Sequence, residues 1–162
     1  MVKWVRITKT YWFGLFAFGF VLVLLQQLPY LIMPLIPLAH NPLMEMVDKI
    51  VLLNLSEKII GISCVLLTLF LVRENNQQLP LKTRRQKLCF TAALVCLALY
   101  YIGWGFYFTG RQTLIIMLGI LVTMPPLFYA FIGLWRQLTP LAILGFVFLF
   151  VHMANVSVNL LT

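Results

Sequence analysis

The sequence predicts an all-α membrane protein: a bundle of about five transmembrane helices with short loops and a proline-rich outer segment after the first span. Three observations carry this. Apolar stretches of about 20 residues, the length that crosses a hydrocarbon core, recur along the chain. Charged residues make up only 10% of the chain against 62% hydrophobic ones, whereas a soluble domain carries roughly 25% charged residues. The cationic residues also gather where the apolar stretches end. Five spans leave little of the 162 residues over, so a single domain over 1–162 is expected.

The net charge of +8 raises nucleic acid as a partner. The distribution argues against it, because no basic helix and no alternation of aromatic and basic residues accompanies the charges. A cytoplasmic membrane surface with anionic lipids accounts for them more simply. Cys64, Cys89 and Cys96 lie in or beside apolar stretches, with no CxxC or Cys/His spacing for zinc, and read as small packing residues. His40, Glu45 and Asp48 match no standard metal spacing. No cofactor or metal is expected.

The first span is expected at about 11–28. Lys3, Arg6 and Lys9 before an apolar run from Tyr11 have the form of a signal sequence. No small-x-small cleavage site follows, and the run leads into Gln26, Gln27 and prolines, so it reads as an uncleaved span. Pro29, Pro34 and Pro37, three prolines within nine residues, then forbid a regular helix there. Apolar, non-helical backbone must be buried in protein or lie at the interface, which suits a re-entrant or capping segment over the outer face. Asn41-Pro42 reads as a helix start. One helix is expected from there to Val72, with Glu45 and Lys49 paired at i,i+4 and a membrane part over about 50–72. After a polar loop, Arg73–Lys87, the remaining spans are expected at about 88–108, 114–134 and 138–161. Pro125-Pro126 should kink the fourth.

Orientation follows from the Lys/Arg count. Lys3, Arg6, Lys9, Arg73, Lys82, Arg84, Arg85, Lys87 and Arg136 fall on one side, and Lys49, Lys58 and Arg111 on the other, nine against three. The N-terminus is therefore expected in the cytoplasm and Thr162 outside, in a plasma or cytoplasmic membrane.

In lipid, helices associate at small and polar residues. Such residues recur at spacings of three and four in Asn54, Glu57, Gly61, Cys64 and Thr68. They recur again in Cys89, Ala93, Cys96, Tyr100, Gly103, Tyr107 and Gly110, in Gly119, Thr123, Pro126, Ala130 and Gly133, and in Gly145, Phe148, His152, Asn155 and Asn159. Thr10, Gly14 and Ala17 form a weaker seam. With the orientation above, the polar members lie in the outer half. This predicts an outward-facing polar pocket, closed from below, lined by Glu57, Tyr100, Trp104, Tyr107, Arg111, His152, Asn155 and Asn159.

Glu57 is the only carboxylate expected within a span, where an ionisable group costs about 2.5–3.5 kcal/mol or more. If the helix enters the membrane only at Ile59, Glu57 sits at the headgroups instead. His152 is either a functional group or a neutral imidazole bonded to a neighbouring helix. The Tyr100–Phe108 run also fits an aromatic belt, and Arg111 a headgroup contact.

Three functional classes fit. The first is binding or transport of a small polar or amphiphilic molecule, or of a lipid. The second is an acid–base enzyme, an isomerase or lipid-modifying enzyme, using Glu57 and His152. HExxH and GxSxG are absent, and a lone span carboxylate argues against a two-aspartate mechanism. The third is an accessory subunit that packs against a second copy or another membrane protein.

Overall fold

The computed structural model describes residues 1–74 and 81–161. Five helical segments are long and apolar enough to cross a membrane: Ala17–Leu35, Val51–Phe70, Arg84–Phe108, Ile115–Trp135 and Thr139–Leu161. In chain order the elements are β1 (Val2–Arg6), β2 (Tyr11–Leu15), α1 (Ala17–Ile32) and a 3-10 turn (Met33–Leu35). Then come α2 (Pro42–Glu45), α3 (Val51–Phe70), β3 (Leu71–Arg73) and α4 (Arg84–Phe108). A π-helical stretch (Ile115–Val122), α5 (Met124–Trp135) and α6 (Thr139–Leu161) complete the chain. Residues 75–80 of the expected polar loop, and Thr162, lie outside the described residues.

The chain is mostly helical but not all-α. A small antiparallel sheet, ordered β1-β2-β3, closes one end of the bundle. β2 pairs Phe13 with Leu71 and Trp12 with Val72. The β1–β2 turn is held by the Thr8 hydroxyl, which accepts from the N–H groups of Thr10 and Tyr11 at 3.2 and 3.1 Å. The first span therefore begins at Ala17 and not near Tyr11. An apolar aromatic run such as Tyr11–Leu15 has no periodicity that separates strand from helix. What decides it is the partner strand supplied by residues 71–73.

α1 continues through Pro29. Proline removes the N–H that the Leu25 carbonyl would accept, and the Tyr101 hydroxyl of α4 donates to that oxygen instead, at 2.7 Å. The helix expected from Asn41 to Val72 is broken. α2 stops at Glu45, and Met46 and Ile50 are extended. Glu45 does not pair with Lys49. Its carboxylate accepts from the Asn41 N–H at 3.1 Å and contacts His40 Nδ1 at 2.8 Å, capping its own short helix. α4 starts before the expected residue 88 because Thr83 and Gln86 form a capping box.

The fourth span changes helix type at Thr123. Its hydroxyl donates to the Leu118 carbonyl at 2.7 Å, and Pro125-Pro126 then sit in the first turn of α5, where a missing N–H costs little. The i→i+5 bonding upstream shifts the helical phase, so Gly119 is exposed while Pro126, Ala130 and Gly133 are buried. α5 ends in a Schellman motif: Leu138 N–H donates to the Gly133 carbonyl (2.8 Å), Gln137 N–H to that of Leu134 (3.2 Å), and Gln137 takes φ 56°. α6 then returns so closely that a Cβ on Gly133 or Gly145 would overlap the backbone of Ala142 or Ala130. Gly14, by contrast, meets Val2 of β1 and belongs to the sheet, not to a helix seam.

Arg136 sits in the turn between α5 and α6 but does not face outward. It is fully buried at the sheet end. Its Nη1 and Nη2 donate to the Thr68 and Leu71 carbonyls at 2.8 and 2.9 Å, and its guanidinium lies 3.8 Å from the Phe16 ring. With the Phe16 N–H on the Leu69 carbonyl at 2.8 Å, these donors satisfy carbonyls that the C-terminus of α3 leaves open. Burial pulls its pKa down to about 9, so it remains cationic at neutral pH.

Candidate functional site

The larger core cluster, including Phe16, Phe128 and Trp135, packs toward the sheet. A second, around Met33, Trp104, Tyr107 and Leu121, lies toward the other end. Between them α1, α3, α4, α5 and α6 leave a cavity of about 500 Å³. Its walls are largely aromatic and aliphatic, with Tyr30, Tyr100, Trp104, Tyr129 and Phe148 among them. Its polar side is built by α3 and α6.

That side is a single chain of hydrogen bonds. The Lys49 backbone N–H donates to Asn159 Oδ1 at 3.1 Å, and Asn159 Nδ2 donates to Asn155 Oδ1 at 3.4 Å. Asn155 Nδ2 donates to Glu57 Oε2, and Glu57 Oε1 lies 2.9 Å from His152 Nδ1. The imidazole stacks on Phe148 with ring centroids 5.0 Å apart, and Gly61 leaves room for Phe148 against α3. The i,i+3 and i,i+4 spacing of Phe148, His152, Asn155 and Asn159 puts all four on one stripe of α6, and Glu57 faces it from α3. Glu57 lies about two turns, ~9 Å, inside the start of α3. Its side chain is 18% exposed, and the carboxylate faces α6.

Of the eight residues expected to line a pocket, the cavity brings together Glu57, Tyr100, Trp104, His152, Asn155 and Asn159. Tyr107 and Arg111 stand elsewhere. Tyr107 is fully buried, with its hydroxyl donating to Asn41 Oδ1 at 2.6 Å and accepting from the Leu43 N–H at 3.1 Å. Arg111 lies past the end of α4, 5.8 Å from the Phe106 ring, beside a separate shallow depression. Arg111 does not continue the helical stripe of Tyr107, because α4 stops at Phe108. Gly110 turns the chain at φ 82°, and Arg111 N–H returns to the Phe106 carbonyl at 2.9 Å.

The site also includes residues outside the expected set. The Tyr129 hydroxyl donates to Gln26 Oε1 at 2.7 Å, tying α5 to α1 on another wall. Adjacent glutamines at 26 and 27 in an apolar span were the available signal, since an amide in lipid must find a partner. Asp48 and Asn54, bonded to each other, line the cavity as well, with Lys58 3.8 Å from Asp48. The segment joining α1 to α3 is pinned over this end by Tyr107 and by Gln112, whose Nε2 donates to the His40 carbonyl at 3.0 Å.

Among the described residues no group of three His, Cys, Asp or Glu side chains could hold a metal ion. Cys64, Cys89 and Cys96 are free thiols. Comparison with protein-family models, curated proteins and solved structures gives no match.

Proposed function

We propose that this chain is a small integral membrane protein that binds a small polar or amphiphilic molecule in the cavity between its helices. The supporting observation is the pairing of a void of about 500 Å³ with a one-sided polar wall, Glu57, His152, Asn155 and Asn159, in otherwise apolar surroundings. A void of that size suits a drug-sized ligand, and an apolar chamber with few convergent polar groups is the usual form of such sites. The N-terminal sheet would face the cytoplasm, as the Lys/Arg count favours, and the polar end of the cavity the outside. A second reading is supported by the 2.9 Å contact of Glu57 with His152: a carboxylate–imidazole pair beside a cavity is the equipment of general acid–base chemistry.

The test is ligand-dependent thermal stabilisation of the full chain in detergent, screened with metabolites and lipids. A ligand whose stabilising effect is lost in both Glu57→Gln and His152→Ala supports the binding reading. If no compound shifts the wild-type protein, or if both variants respond as it does, the reading fails.

A further inference from the structure

The polar chain has a direction, and the direction decides which nitrogen of His152 is offered to the cavity. It starts at a backbone N–H, that of Lys49, which can only donate. Asn159 must therefore present Oδ1 to it and turn Nδ2 toward Asn155. Asn155 must present Oδ1 to Asn159 and Nδ2 to Glu57. Glu57 thus accepts at Oε2, and its other oxygen meets His152 Nδ1. Imidazole is a stronger base than carboxylate, so the proton shared by this pair belongs on Nδ1. Nε2 is left as the open position of the ring, and it takes no partner among the described residues. The imidazole that carries it lines the cavity.

We infer that His152 presents an Nε2 lone pair to the cavity, and that the bound molecule is a ring-bearing amphiphile donating a hydroxyl hydrogen to it. This rests on the binding role proposed for the cavity and names the ligand's chemistry. A neutral ligand fits the charges present. Glu57 is already paired with His152 and Asn155, and Asp48 with Asn54 and Lys58, so neither carboxylate is left over for a cation. A flat ring fits the aromatic walls, where face and edge contacts add to plain area burial.

Two probes that differ only in the donor test the inference: 2-naphthol and 2-methoxynaphthalene. Their equilibrium binding to the full chain in detergent is corrected for partition into micelles. Wild-type protein is expected to prefer 2-naphthol by about five- to tenfold, the worth of one added hydrogen bond. His152→Phe keeps the ring and should bring the preference to about one. Glu57→Gln should also abolish it. The amide introduced by that substitution would accept from Asn155 and donate to Nδ1, moving the histidine proton to Nε2 and turning the open nitrogen from acceptor to donor. Long-range ¹H–¹⁵N spectra of histidine-labelled wild-type protein read the tautomer without any variant, and should show Nδ1–H at His152. An Nε2–H tautomer, or equal binding of both probes to the wild type, overturns the inference while leaving the cavity as a binding site. If the wild type binds neither probe, the inference falls, and a parallel failure of the metabolite and lipid screen removes the binding role as well.

Discussion

Glu57 and His152 stand 95 positions apart in the chain, yet the carboxylate of one lies 2.9 Å from the imidazole of the other, joining α3 to α6 inside the helical bundle. Asn155 holds the second carboxylate oxygen, so the acid is oriented from two sides. His152→Ala leaves Oε1 without a donor and should destabilise the protein by about 1–3 kcal/mol. Glu57→Gln keeps the acceptor for Asn155 and should cost less. The double variant should cost less than the sum of the two, by about 0.5 kcal/mol or more, because the residues share one network. Reversible unfolding of the full chain in mixed micelles measures all three.

Arg136 should be the most sensitive cation in the chain. Arg136→Met keeps most of the apolar stem but removes two charge-assisted bonds to the Thr68 and Leu71 carbonyls, at an expected cost of about 3 kcal/mol or more. Arg111→Met, at an exposed position, should stay within about 0.5 kcal/mol of wild type. Equal effects in the same unfolding assay would show that Arg136 does not cap α3.

Pro29 and Tyr101 should be coupled. Tyr101→Phe removes the donor to the Leu25 carbonyl and should cost about 1 kcal/mol. Pro29→Ala returns a backbone N–H to that carbonyl, so Tyr101→Phe made in the Pro29→Ala background should cost clearly less. A double-mutant cycle on unfolding free energies reads the difference.

Gly133 and Gly105 should respond in opposite senses. A Cβ at Gly133 would overlap the Ala142 backbone, whereas one at Gly105 meets nothing within 4 Å. Gly133→Ala should cost about 1–3 kcal/mol by forcing α5 and α6 apart. Gly105→Ala should be neutral or stabilising by up to about 1 kcal/mol, from improved helix propensity.

Tyr107 should govern the segment over the cavity rather than the ligand itself. Tyr107→Phe loses both hydroxyl contacts, to Asn41 and Leu43. Amide exchange at Leu43 and proteolytic cutting within 36–50 should accelerate, while Arg111→Ala leaves both rates unchanged.

Hydropathy and small-residue spacing were enough to find five helices long and apolar enough to cross a membrane and most of the faces that meet. Each signal is local: an apolar run has to be about as long as the bilayer is thick, and a packed stripe has to recur at the helical period. The seams of the second and fifth spans hold for the same reason, down to the stripe of Phe148, His152, Asn155 and Asn159, whereas the third loses Gly110 past the end of α4 and the fourth loses Gly119 to the π-helical stretch. What failed were the elements whose conformation depends on a distant partner. Tyr11–Leu15 is a strand because residues 71–73 supply its neighbour, and Pro29 lies within a helix because Tyr101 serves the carbonyl it orphans. Arg136 is buried because α3 ends beside it. The sequence alone thus determined the five helices long and apolar enough to cross a membrane and the polar residues available to a site. Only the tertiary structure decided that Glu57 meets His152 and that Tyr107 and Arg111 turn away. Those pairings depend on where each helix ends and how the next one returns, and no periodicity within a single helix encodes that.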